Sequence, residues 1–255
     1  MSIARRHRER MAAQLSAAPE RVAMVVAGGE ALSLSAGGNA ANDNPAAAQI
    51  MMRFQGDMQR LKQIQSVKAK IDAKRDMLPE YAPWCEGLLK TAAETGTGVP
   101  DEILTTMMVW RIDTGDYAGA LELAAHVLRY QLPLPKRYER SAGTLIAEEI
   151  ADAALTALGK GDAFDLGTLQ DTEALTVAED MPDEVRAKIF KAIGLEFIRQ
   201  ADAETDAGHA LVLRTNARHA LGLARDLHER CGVTKQIEKL DRALRADTQD
   251  QNSGT

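Results

Sequence analysis

Aromatic residues are scarce: Phe, Trp and Tyr together make up 4% of the 255 residues. Long runs rich in Val, Ile, Thr and Tyr are missing too. That excludes a fold built from strands, because β-branched and aromatic side chains are what suit a pleated, half-buried surface. No apolar run reaches the roughly 20 residues that span a bilayer, so no membrane is expected as a partner. The two cysteines, Cys85 and Cys231, lie far apart and form no motif. They read as reduced core or surface thiols of a cytosolic protein. The arginine-rich N-terminus has no apolar stretch or cleavage site behind it, so it is not expected to be a secretory signal. What remains is alanine, leucine and charge, in a chain long enough to bury a core in one domain or two. The expected class is all-α.

Charge is unevenly placed. Through Glu80 there are twelve Lys and Arg against eight acidic residues, a net +4. The total is −6, so the remainder carries −10. Such asymmetry suggests a basic nucleic-acid arm on an acidic body, and ordinary variation in solvated charge is the competing reading. The basic residues begin at Arg5, Arg6, Arg8 and Arg10. These sit on an N-terminal arm over 1–26, whose first 23 residues suit a short amphipathic helix with Met11 and Leu15 on one side. Residues 27–48 are small, polar and glycine-rich and read as a flexible linker.

A long helix is expected over 49–78. Ile50, Phe54, Asp57, Leu61, Ile64, Lys68 and Ile71 follow alternating steps of four and three, a coiled-coil heptad with polar breaks at Asp57 and Lys68. The spacing leaves open whether the seam pairs with a second copy or packs on the chain's own body. Arg53, Arg60, Lys62, Lys70, Lys74 and Arg75 lie along this helix, as a solvated face or as phosphate contacts.

A helical body is expected over 79–246. LPEYAPWCEGLL, from Leu78 to Leu89, breaks the long helix, with Trp84 as its expected core anchor. Two helices follow over Asp101–Pro135. Ile103, Met107 and Trp110 recur before a turn, and Tyr117, Ala120, Leu121, Ala124 and Leu128 after it. Within the turn, Gly115 suits the left-handed end of one helix and Asp116 the cap of the next. Pro133 and Pro135 stop the second. Further helices are predicted over Leu145–Leu158, Leu169–Val177, from Asp180 and Pro182 through Phe197, over Leu211–Leu227, and from Val233 to Leu244. The pairs read as irregular tetratricopeptide-like hairpins, since no regular period is kept. The tail over 247–255 is polar and expected to be disordered.

WRIDTGDYAGALELA, taken with ADMPDEVRAKIFKAIGL at Ala178–Leu195, closely resembles the small terminase subunit of temperate tailed bacteriophages, over roughly Gln49 to Leu244. That resemblance implies a part in a DNA-packaging motor, in the cytoplasm of the bacterial host. It implies binding of double-stranded viral concatemer DNA at the packaging site, a homo-oligomer, and a large ATPase-nuclease subunit as partner. Mg and ATP would then belong to the large subunit, with no cofactor in this chain. Small terminases often use an N-terminal helix-turn-helix, and the linker at 27–48 interrupts any obvious one. Some relatives are expected to carry a basic C-terminal extension, which the tail here does not resemble, so DNA contact is expected in the N-terminal region.

The family is also described as the endonuclease subunit of terminase, which makes catalytic residues worth seeking. Gly159-Lys160 is flanked by Ala154 and Gly161, so both the first glycine and the Mg²⁺-binding hydroxyl of a phosphate-binding loop are missing. His209, His219 and His228 do not share a helical face and have no paired cysteines for zinc. Asp180, Asp183 and Glu184 cluster, but a metal-dependent nuclease needs several converging carboxylates. They read more simply as acids capping a helix N-terminus. No catalytic residue is assigned. Two alternatives stand beside the DNA-binding reading: a helical-hairpin scaffold that binds only protein, and an endonuclease whose site the sequence does not display.

Overall fold

The computed structural model describes residues 45–253. Among them helix is the regular structure and no strand occurs, so the fold is all-α. Among the described residues, those through Arg137 and those from Tyr138 on form two compact units, a division that falls inside the body expected over 79–246.

The first unit contains α1 (Pro45–Gln63), α2 (Val67–Met77), a 3-10 turn (Leu78–Tyr81), α3 (Ala82–Thr95), α4 (Glu102–Thr114) and α5 (Tyr117–Arg129). The single helix expected over 49–78 is therefore two. Ser66 takes an extended conformation and its hydroxyl accepts the Ala69 amide at 3.3 Å, capping a new helix. A serine that bonds a nearby backbone amide competes with helix continuation. The helical start at Pro45 also shortens the expected linker, whose residues 27–44 lie outside the described residues, as does the arm over 1–26. The heptad seam turns inward: Phe54 and Leu61 are buried within their own unit, while Lys68 is exposed.

Three of the few aromatics make the joint. Phe54, Tyr81 and Trp110 meet edge to face, with centroids 6.2 and 6.1 Å apart, a favoured arrangement for ring quadrupoles. Tyr81, fully buried, donates its hydroxyl to Asp57 at 2.7 Å. The expected anchor Trp84 is only half-buried and donates its indole N–H to Asp101 at 3.2 Å. Central to the unit is α4, in which every residue from Ile103 to Trp110 is buried. Asp101 caps it by accepting the Leu104 amide at 2.7 Å. Burial pushes the Asp101 carboxyl up against the pull of these donors. The same burial pushes the Cys85 thiol up to about 12. On α5 the buried stripe is Ala120, Leu123, Ala124 and Val127, displaced from the one the spacing predicts. That helix ends because Gln131 adopts a left-handed conformation (φ 51°), and the Leu132 amide reaches back to the Val127 carbonyl at 2.9 Å. The prolines come after the stop.

The second unit contains α6 (Ala142–Gly159), α7 (Leu166–Thr176), α8 (Asp183–Ala203), α9 (Ala207–Leu227), a 3-10 turn (Glu229–Cys231) and α10 (Thr234–Ser253). Helix α8 packs on α6, α7 and α9. It buries Val185, Ile189, Ile193 and Phe197, the predicted stripe. Helix α10 runs on to Ser253 where a disordered tail is expected over 247–255. No Gly or Pro interrupts it before that point, and a helix already nucleated extends at little cost.

Glu196 on α8 is 1% exposed. It accepts two bonds from Arg199, at 2.9 and 2.7 Å, one from Gln200 at 2.9 Å and one from the Phe164 amide at 3.4 Å. Burial alone would raise its carboxyl, but Arg199, Gln200 and Phe164 together hold it below the usual range. Replacing Glu196 with Ala strands these donors and should cost about 2–3 kcal/mol, read by urea denaturation. Because the folded carboxyl titrates low, its contribution is present above the ordinary carboxylate range and lost as pH falls through the depressed folded value. The stability gap between wild type and Glu196→Gln should therefore shrink in acid.

Candidate nucleic-acid interface

The elbow between α1 and α2 is the most basic part of the described chain. Arg60 and Lys62 end α1, and Lys68 and Lys70 open α2. No acidic residue occurs between Asp57 and Asp72. Arg60, Lys62 and Lys68 are exposed and Lys70 is half-buried; none of the four side chains has a hydrogen bond or ion pair among the described residues. Val67, 73% exposed, stands at the same elbow.

Other predicted cations are engaged within the fold. Arg53 pairs with Glu80. Lys74 pairs with Asp113 at 2.5 Å, with 19% of the lysine side chain exposed. Arg75 bonds Asp72 at 2.9 Å and the Thr114 carbonyl at 3.3 Å. Thus Arg60, Lys62 and Lys70 are brought together at the elbow, and Arg53, Lys74 and Arg75 serve partly to hold α1 and α2 in place. Arg5, Arg6, Arg8 and Arg10 lie outside the described residues. Sequence reasoning passed over Lys68 as a break in the heptad. The acid-free run around it was the available signal.

The turn between α4 and α5 does the holding. Gly115 sits at φ 83°, which only glycine adopts without strain, and the Asp116 amide closes back on the Arg111 carbonyl at 2.9 Å. Asp116 then caps α5 by accepting the Gly119 amide at 3.1 Å. Its other carboxylate oxygen takes Arg111 at 2.6 Å. Gly119 leaves the room for this: a Cβ there would collide with a terminal nitrogen of Arg111. Between this turn and α2 lies an open cleft of about 430 Å³, lined by Arg75, Leu78, Pro79, Ala82, Arg111 and residues 114–116.

The acids singled out by sequence are dispersed. Asp183 and Glu184 lie exposed in the first turn of α8, whose cap position is Pro182 with no side-chain cap bond, so Asp180 does not cap it. Glu184 approaches His228 at 4.0 Å. Among the described residues no group of three or more His, Cys, Asp or Glu is placed to hold one metal ion. No described helix is long and apolar enough to cross a membrane.

Fold and surface together define an all-helical protein with a basic elbow fixed to a buried central helix. The family model described as phage small terminase subunit matches residues 51–184. The chain is also 41% identical over 197 residues to a protein named "Terminase, endonuclease subunit" from Escherichia phage P2, covering 77% of this chain and 74% of that one. No solved structure matches. The chain belongs to the phage small terminase subunit family, and its role lies in phage DNA packaging.

The family motif around Asp113 has a structural consequence that can be measured. Asp113→Asn removes a part-buried ion pair and should cost about 1 kcal/mol of stability. Amide hydrogen exchange in α2 should accelerate more than in α5. Equal acceleration in both helices would show that the pair does not hold α2 specifically.

Proposed function

We propose that this chain binds double-stranded viral DNA through the α1–α2 elbow and directs cleavage and packaging by the large terminase subunit. The observation that carries the reading is the run of Arg60, Lys62, Lys68 and Lys70, unpaired among the described residues and with no acid in the sequence between Asp57 and Asp72. Such cations release counterions from DNA and supply affinity without reading base sequence. Membership of a packaging family supports the rest of the proposal, in which the DNA is the viral concatemer, the partner is a large ATPase-nuclease subunit with its Mg and ATP, and the setting is the host cytoplasm. Self-association is part of the proposal, with Met51 and Met52 on the outer side of α1 as contact residues, 39% and 71% exposed. Several copies would raise the local concentration of elbows along one duplex.

Replacing Arg60, Lys62, Lys68 and Lys70 together with Gln should flatten the salt dependence of duplex binding. The slope should fall by roughly 0.9 for each phosphate no longer neutralised. Arg53→Gln, which removes a cation that lies outside the elbow and pairs with Glu80, should leave the slope unchanged. A wild-type chain without salt-dependent duplex binding would favour the protein-only scaffold.

Cleavage is assigned to the partner. Packaging-site DNA incubated with Mg²⁺ should stay intact with this chain alone and be cut when the large subunit is present. Cutting by this chain alone, lost in Asp183→Ala or Glu184→Ala, would establish a nuclease centre here.

A further inference from the structure

We infer that the cleft between α2 and the α4–α5 turn is a second phosphate site, taking a phosphodiester of the same duplex that the elbow engages. The inference rests on the DNA-binding reading and extends it to residues outside the elbow.

Two arginines line the cleft, Arg75 from α2 and Arg111 from α4. A guanidinium carries five N–H donors in a planar fork suited to phosphate oxygens. Arg75 uses one donor for Asp72 and one for the Thr114 carbonyl, and Arg111 uses one for Asp116. Both therefore keep donors beyond those bonds. Their carboxylate partners hold each group in place and balance its charge when no DNA is bound. The Arg111 guanidinium occupies the volume that any side chain at position 119 would need.

Position along α2 points to DNA as the occupant. Lys68 and Arg75 are seven residues apart, so they lie on one face of the helix. They are separated by about 10 Å along its axis. Phosphates of one strand advance about 3.4 Å along the duplex axis per nucleotide. The strand also winds around that axis, so adjacent phosphates are roughly twice as far apart through space, and one strand can meet Lys68 and the arginine pair within about one to two nucleotides. Leu78, Pro79 and Ala82 add an apolar floor that needs no charged partner.

The test uses the full-length chain and a labelled duplex of random sequence, titrated across salt concentrations. Arg111→Gln should lower the slope by about one and weaken binding about eightfold at 0.1 M salt. Gly119→Ala retains every charge but displaces the Arg111 guanidinium together with the Asp116 carboxylate it bonds, and should reproduce most of that loss. Helix content by circular dichroism, expected at the wild-type level because alanine favours a helix over glycine, separates this effect from loss of the α5 cap. Wild-type slope and affinity in both variants, while the four-residue elbow variant loses binding, would overturn this inference and leave the DNA-binding reading standing. Absence of duplex binding by wild type would remove both. Unchanged duplex binding with weakened capture of the large subunit by both variants would assign the cleft to a protein partner and also overturn the inference.

Discussion

The ion pair between Lys74 and Asp113 is the constraint on which the placement of α2 depends. It ties α2 to the end of α4, the helix around which the first unit is packed. Beside it, Arg75 reaches the Thr114 carbonyl, and the Phe54–Tyr81–Trp110 stack fixes α1 and the 3-10 turn to the same helix. Each of these polar bonds is worth little alone, about 1 kcal/mol or less where solvent reaches it. Burial of the apolar core, aliphatic and aromatic alike, carries most of the stability, and the ion pairs set where α2 lies. An elbow so supported displays its remaining cations in a fixed arrangement, which is what converts a run of positive residues into a surface.

The segment that carries the family resemblance thus has a mechanical role. WRIDTGDYAGA supplies Trp110 to the core, Asp113 and the Thr114 carbonyl to α2, a left-handed Gly115 to the turn, Asp116 to both a cap and Arg111, and Gly119 to the space beside it. Its parts hold a neighbouring basic helix. That fits the proposed role of holding DNA for another subunit.

Much of the fold was legible because its signals are local. Asp116 after Gly115 marks a helix end and a helix start within two residues, and the α8 stripe repeats at helical spacing. The break at 64–66 was hidden, since Ser66 sits inside a run that otherwise keeps heptad order. Trp84 drew attention by size, yet Tyr81 is the buried anchor, with its hydroxyl satisfied by Asp57. The displaced stripe on α5 and the complete burial of α4 reflect packing on several sides, which periodicity along one helix does not encode. At the candidate interface, the positive run was visible but its division was not. Lys74 meets Asp113 across 39 residues and Arg53 meets Glu80 across 27. Only the folded chain tells which cations are balanced and which remain available.

Lysine reactivity measured with and without duplex DNA tests this division most directly. Limited acetylation followed by mass spectrometry reads each amine separately. Lys62, Lys68 and Lys70 should react readily in the free protein and become protected by DNA, while Lys74, held by Asp113, should react slowly in both states. Elbow lysines that stay reactive with DNA bound, or a Lys74 as reactive as they are in the free protein, would contradict the account.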